Sequence, residues 1–228
     1  MQSPAPRLTP RQRARQQTEA EVLRIGNRLL DQHGAAGLSL REIARELGMV
    51  SSALYRYVSS REELLTLLIA NAYNNLADAV EAALPGGEPA LEPIALAMLD
   101  WSAAHPRRWA LLYGTPLENY QAPAEQTTQP GTRVMVLVAR AVLAASPGTP
   151  PPLPSGSQLE QLLASSLEDL GLHASTAQAA HAISIWVSLT GMITALRFNQ
   201  LGPGFDAVER DLLTAHVRLL DPAHSIGS

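Results

Sequence analysis

The chain has 228 residues, 46% of them hydrophobic and 17% charged, and contains no cysteine. That length can bury a core in one or two domains and excludes a short peptide, while the lack of thiols excludes disulfides and thiolate metal sites. No uninterrupted apolar run exceeds six residues, Ile94–Leu99 and Val134–Ala139 being the longest, so a soluble chain is expected rather than a membrane protein. The net charge of −4 is unevenly spread: residues 1–60 carry nine Arg against five acids, and residues 61–228 eight Arg against sixteen. Every basic side chain is Arg rather than Lys, a donor fork suited to phosphate oxygens and guanine edges. The polar amino terminus has no apolar signal core, which points to the cytoplasm.

Residues 1–16 hold three Pro and the arginines Arg7, Arg11, Arg13 and Arg15 with one large apolar residue, so they are expected to form a mobile basic arm. A first helix is expected from about Thr18 to His33, where Val22, Ile25, Leu29 and Leu30 follow helical spacing and Gly34 supplies the stop. Ser39 with Glu42 is a capping-box pair, and Leu40, Ile43, Ala44 and Leu47 form the stripe of a two-turn second helix that ends at Gly48. Ser51 and Ser52 open a short third helix in which Leu54 and Val58 point inward. A longer fourth helix starts at Ser59 or Ser60, carries Leu64, Leu65, Leu68, Ile69, Ala72 and Leu76, and ends before Pro85-Gly86-Gly87. Two short helices joined by a tight Gly-containing turn describe a helix-turn-helix, whose second helix leaves Ser51, Ser52, Ala53, Tyr55, Arg56 and Tyr57 for a DNA groove.

The stretch GLSLREIARELGMVSSALYRYVSSREELL, residues 37–65, resembles the amino-terminal DNA-binding domain of the TetR family of transcriptional regulators. The resemblance rests on Gly37, Ile43, Ala44, Leu47, Gly48, Leu54, Tyr55, Val58, Arg61, Leu64 and Leu65. With the first helix it covers about residues 18–70. It implies that Ser39 and Arg41 bond backbone phosphates and that Ser51, Ser52, Ala53 and Arg56 enter the groove. Tyr55, Tyr57 and Arg61 would make further phosphate contacts, to which the arm adds Arg11, Arg13 and Arg15. The family often has His or an aromatic-His pair at Arg56-Tyr57 and Lys at Arg61, so its base preference does not transfer.

Beyond Gly87 the composition shifts to Ala/Leu-rich helices broken by Pro-rich loops. Helices are expected over about Leu91–His105, from Pro106 through Trp109, Leu112 and Tyr113, and over about Thr132–Ala145. Gly114–Gly131 is polar, and Ser146–Ser157 (SPGTPPPLPSGS) is an exposed loop of polyproline character. From Ala174 to Leu196 there is no charged residue, and two apolar stripes, Ile183-Trp186-Ile193 and Ile185-Leu189-Met192-Leu196, demand cover on more than one side. A last helix over about Asp206–Leu220 carries Val208, Leu212, Leu213, Val217 and Leu220. Helices at about 175–200 and 206–220, meeting their copies across a twofold axis, would form a four-helix homodimer interface, with a core around one buried helix as the alternative. The resemblance implies the same dimer.

The expected fold class is all-α: an arm over 1–16, a helix-turn-helix domain over 17–65, and a larger helical effector-binding and dimerisation domain over 66–228. The resemblance also implies an effector pocket in that last domain. Met98, Trp101, Trp109, Leu112, Tyr113, Tyr120, Trp186 and Met192 are the candidates for its lining, because large adaptable apolar groups with a few polar tips line such sites. They suit a neutral, mostly apolar small molecule. The six His show no metal-ligand spacing, and no nucleophile elbow, phosphate loop or dinucleotide fingerprint occurs. The expected function is therefore a non-enzymatic, cofactor-free, homodimeric regulator that binds a near-palindromic duplex operator and is released by an unknown small effector. Two alternatives stay open: a constitutive DNA binder whose second domain only dimerises or meets a protein, and a helical small-molecule-binding or enzymatic protein that keeps the amino-terminal helices.

Overall fold

The computed structural model describes residues 9–115, 117, 120–145 and 154–220. Regular structure among these residues is helical, in ten α-helices. The chain divides into two compact units, Met1–Asn71 with Pro116–Thr127, and Ala72–Thr115 with Thr128–Ser228.

In the first unit, α1 (Pro10–His33) begins eight residues before the expected Thr18. The Thr9 Oγ1 accepts from the Gln12 N–H at 3.3 Å and the Gln12 Oε1 accepts from the Thr9 N–H at 2.8 Å. With Pro10 at the first helical position, this capping box pre-sets the first turn. Arg15 then pairs with Glu19 one turn on, at 2.7 Å. The expected mobile arm is thus corrected over 10–16, which are helical; residues 1–8 lie outside the described residues. Val22, Ile25, Leu29 and Leu30 are buried as the spacing requires.

After α1 the chain doubles back through a short 3-10 turn, Ala35–Gly37, where a Cβ on Gly37 would stand 2.4 Å from the His33 Cβ. Helix α2 (Leu40–Glu46) is capped by Ser39, whose Oγ accepts from the Glu42 N–H at 3.4 Å. Gly48 takes φ +65°, and the Met49 N–H donates to the Ala44 carbonyl at 2.9 Å, so the turn is tight. Helix α3 (Ser51–Leu54) follows, continued by a helical turn through Val58, whose N–H reaches the Leu54 carbonyl at 3.1 Å. Its cap position is Val50, with no side-chain cap bond, so the capping role expected of Ser51 and Ser52 is not used. Helix α4 (Arg61–Ala82) is opened by Ser60, whose Oγ accepts from the Glu63 N–H at 3.1 Å. The Ser59 N–H and Oγ both donate to the Glu63 carboxylate at 2.6 Å, which holds that carboxyl below the ordinary range.

In the second unit, the end of α4 supplies Ala72, Leu76 and Val80 to a core shared with α5 (Leu91–Ala104), α6 (Pro106–Tyr113), α7 (Ala124–Ala145), α9 (Thr176–Arg197) and α10 (Glu209–Leu220). Helix α7 starts eight residues before the expected Thr132 and holds Pro130 inside it. The Pro ring is buried, and the Thr132 Oγ1 donates to the Thr128 carbonyl at 3.0 Å in the same turn. Arg133 ties α7 to α4 through Asp78 (2.8 Å), Glu81 (2.9 Å) and the Asn74 Oδ1 (2.9 Å). Helix α8 (Gln158–Asp169) lies in a stretch for which the sequence reading gives no helix bounds; Ser157 caps it by accepting from the Glu160 N–H at 3.1 Å. Of the expected polyproline loop, residues 146–153 lie outside the described residues. Helix α9 is long and apolar enough to span a bilayer, yet Ile185, Leu189 and Ile193 belong to this core.

The α1–α2 and α2–α3 turns depend on their glycines in different ways. Gly37→Ala should cost about 1–3 kcal/mol through the clash with His33, and Gly48→Ala about 1–2 kcal/mol through left-handed strain, both read from urea unfolding midpoints. Unchanged midpoints in both variants would contradict these turn geometries.

Candidate nucleic-acid interface

The helix-turn-helix presents two faces with opposite chemistry. Inward, Ile43, Ala44, Leu54 and Val58 are each no more than 1% exposed. Outward, Ser51, Ser52, Tyr55 and Arg56 are exposed, with Ala53 and Tyr57 half-buried beside them. Burial of Leu54 and Val58 one turn apart fixes the rotation of the short helix, which leaves the intervening residues pointing away from the unit.

Charge is distributed to match. Arg15, Arg24, Arg28 and Arg45 are paired with Glu19, Glu21, Glu46 and Glu42 respectively. The side chains of Arg11, Arg13, Arg41 and Arg56 are exposed and make no ion pair or hydrogen bond among the described residues. Within the first unit, positive charge without a protein counter-ion among the described residues thus lies on the first turns of α1, on α2 and on α3. Arg11 and Arg13 are presented from a helix instead of an arm. Arg61 is partly committed: its Nη2 donates to the Ala35 carbonyl at 2.7 Å, which pins the turn before α2 to the start of α4 while four other N–H groups remain on the fork. Ser39 accepts its cap bond and keeps its own hydroxyl proton for an acceptor outside. Neutral hydroxyls beside an uncompensated Arg, on a rod of side chains narrow enough for a major groove, can bond base edges and phosphate oxygens.

A model of bacterial regulatory proteins of the tetR family matches residues 22–68, and a model of the tetracyclin repressor-like C-terminal domain matches residues 91–220. The HTH-type transcriptional regulators Mb1846 of Mycobacterium bovis and Rv1816 of Mycobacterium tuberculosis are each 38% identical over 226 residues, covering 94% of this chain and 95% of theirs. The chain belongs to the TetR family. Among solved structures, the regulatory protein SCO4313 is similar at 31% identity and a TM-score of 0.71, over 93% of this chain and 98% of its own. A Rhodococcus sp. RHA1 protein of unknown function shares the fold, with a TM-score of 0.62 at 22% identity over 89% of this chain and 93% of its own. This TetR-family member is accordingly a DNA-binding transcription regulator with an amino-terminal helix-turn-helix and a helical carboxy-terminal domain. TetR-family regulators bind operators and dimerise.

The eight residues expected at an effector pocket do not all come together. Tyr120 belongs to the first unit, where its hydroxyl and the Thr66 Oγ1 stand 2.9 Å apart. Met98, Trp101 and Trp109 are core, and Leu112, Tyr113, Trp186 and Met192 pack half-buried against it. Within that group the Trp109 and Tyr113 rings lie 4.5 Å apart, and Tyr113 meets Trp186 edge-on at 6.1 Å. Tyr73 of α4, absent from the expected set, adds a fourth ring at 6.1 Å from Tyr113. Its only sequence signal was a lone aromatic in a polar stretch of α4. The Trp109 indole N–H donates to the Thr194 Oγ1 at 3.2 Å, whereas the Tyr113 hydroxyl is buried with no partner among the described residues, and burial pushes its pKa up.

An unpaired buried hydroxyl costs stability. Tyr113→Phe should therefore raise the free energy of unfolding of the ligand-free protein by about 1 kcal/mol, measured by denaturant titration. A loss of similar size would show that the hydroxyl has a partner.

Proposed function

We propose that the protein is a homodimeric repressor that reads a near-palindromic operator with α3 and leaves it when a small, mostly apolar effector binds the second unit. The observation that carries DNA reading is the exposed, unpaired set Arg41, Ser51, Ser52 and Arg56 above a buried stripe. Base reading is assigned to Ser51, Ser52, Ala53 and Arg56, and phosphate contact to Ser39, Arg41, Tyr55, Tyr57 and Arg61.

The homodimer is supported by α9 and α10. Only 22% of the most apolar stretch of α9 is buried, and Ile183 (40% exposed) and Val187 (59%) lie one turn apart on its open face, while α10 leaves Leu219 82% exposed. Fully burying such a side chain is worth about 1.5–3 kcal/mol, so each forfeits a share of that in proportion to its exposure, and a twofold axis covers the same face on both copies at once. Two α3 helices so related would meet half-sites about 34 Å apart on one side of a duplex. A regulator of this kind works where the DNA is, in the cytoplasm.

The effector reading is supported by the aromatic group around Tyr113, whose unpaired hydroxyl offers one polar contact in apolar surroundings. A ligand releases DNA only if it prefers the conformation that binds DNA less well. The rival reading of a constitutive binder draws on Met98 and Trp109, both fully buried as ordinary core.

The test uses DNA selected by the protein from a random pool. Arg56→Ala should relax base preference at one position per half-site at a cost of about 1–3 kcal/mol. Arg41→Ala should weaken all sequences alike and shallow the log–log salt slope by about 0.9. Val187→Glu should yield a monomer by light scattering that binds a single half-site weakly. Equal, sequence-independent losses in both Arg variants, or a Val187→Glu protein that stays dimeric, would contradict the assigned roles.

A further inference from the structure

Helix α8 covers an apolar cavity that shares no residue with the aromatic group. The cavity has a volume of about 120 Å³. Its walls include Met135 and Ala139 of α7, Leu163 and Leu167 of α8, and Ala182 and Ile183 of α9. No charged side chain lines it, and its one hydroxyl, Ser166 Oγ, already donates to the Leu162 carbonyl at 2.9 Å. Water entering such a space would find almost no hydrogen-bond partner, so the cavity favours an apolar occupant. Its size is close to that of protein cavities that take up a benzene ring.

Two further observations bear on access and consequence. Helix α8 buries a single residue, Leu163, and carries Leu159 (49%) and Leu162 (63%) on its outer side. A helix anchored by so little burial shifts at low cost, which provides a way in. Ile183, in the cavity wall, also stands on the open face of α9, so an occupant would touch a residue of the proposed twofold contact.

We propose that this cavity binds a neutral apolar molecule the size of one small ring or a short alkyl chain, without hydrogen bonding, and that its occupant is an effector. The link to operator release rests on the function proposed above; the binding itself does not.

The probe is toluene, added to the full-length protein at concentrations where light scattering shows the dimer. Wild type should show saturable binding and a raised melting temperature. Ala139→Phe, which fills the cavity, should lose that shift while keeping the wild-type circular dichroism. Leu163→Ala, which enlarges the cavity, should respond to naphthalene where wild type does not, and it serves as the test if the Phe variant fails to fold. Absence of saturable toluene binding to wild type would overturn the site, including the case in which a second copy fills the space on dimerisation. An undiminished response in Ala139→Phe would overturn it equally. Operator affinity measured in parallel separates the two claims. Toluene binding with no change in operator affinity keeps the site and overturns its role as an effector site. Release by toluene that persists in Ala139→Phe keeps the effector reading and overturns this location.

Discussion

Everything the protein can do to DNA depends on how three side chains, Ile43, Leu54 and Val58, are buried around the left-handed turn at Gly48. A four-residue helix has too few internal hydrogen bonds to hold itself together in water, so α3 exists because Leu54 and Val58 are pulled into the first unit's core. The same burial sets its rotation. With the inward positions taken, Ser51, Ser52 and Arg56 can only face out, and the capping bond that a Ser at the helix start would ordinarily make is absent. The unused hydroxyls and the unpaired guanidinium are therefore free for a ligand. Arg61, bonded to the Ala35 carbonyl, reinforces the unit from the other side by joining the first turn of α4 to the approach to α2.

The second unit solves a different problem. It buries one row of α9, Ile185, Leu189 and Ile193, and leaves another, Ile183 and Val187, in the open. A helix without charges from one end nearly to the other cannot choose which side faces water, so two apolar faces call for two coverings: the core on one side and, in the proposed dimer, the second copy on the other. Ion pairs set the surrounding positions, with Arg133 held by Asp78 and Glu81 and Arg210 by Asp100, and Ser188 meets His216 between α9 and α10 at 2.9 Å. Among the described residues, the Tyr113 hydroxyl and the Arg197 Nε, both buried without a partner, and the cavity under α8 are places where this unit departs from tight, fully satisfied packing.

Local signals account for most of what was legible in the sequence. The stripe of α1, the capping pair Ser39 and Glu42, and the apolar pair Leu54 and Val58 are all short-range patterns, and each sits where its spacing implies. The start of α1 was equally local: Thr9, Pro10 and Gln12 form a capping box with Pro at the first position, but the Arg/Pro composition of the segment outweighed it. Pro130 hides a helix in the same manner, since a proline inside a helix is costly and its neighbours Gly114–Gly131 look like a loop; burial of its ring is a tertiary fact. Helix α8 hid behind a proline-rich run although Ser157 and Glu160 marked its start. The grouping of pocket residues was the least legible, because residue type says that Tyr120 and Tyr113 are alike and only the fold assigns them to different units. The orphaned hydroxyl of Tyr113, the inclusion of Tyr73 and the space beneath α8 all arise from side chains far apart in sequence.

The central claim is that α3 is an outward-facing rod held by its buried stripe and repeated by a twofold axis. Hydroxyl-radical footprinting of the full-length protein on its selected DNA tests it most directly. Two equivalent protected patches on one face of the duplex, centred about one helical turn or a whole number of turns apart, are the expected result. A single continuous patch without internal symmetry, or protection that Ser52→Glu and Arg56→Glu together leave unchanged, would contradict it.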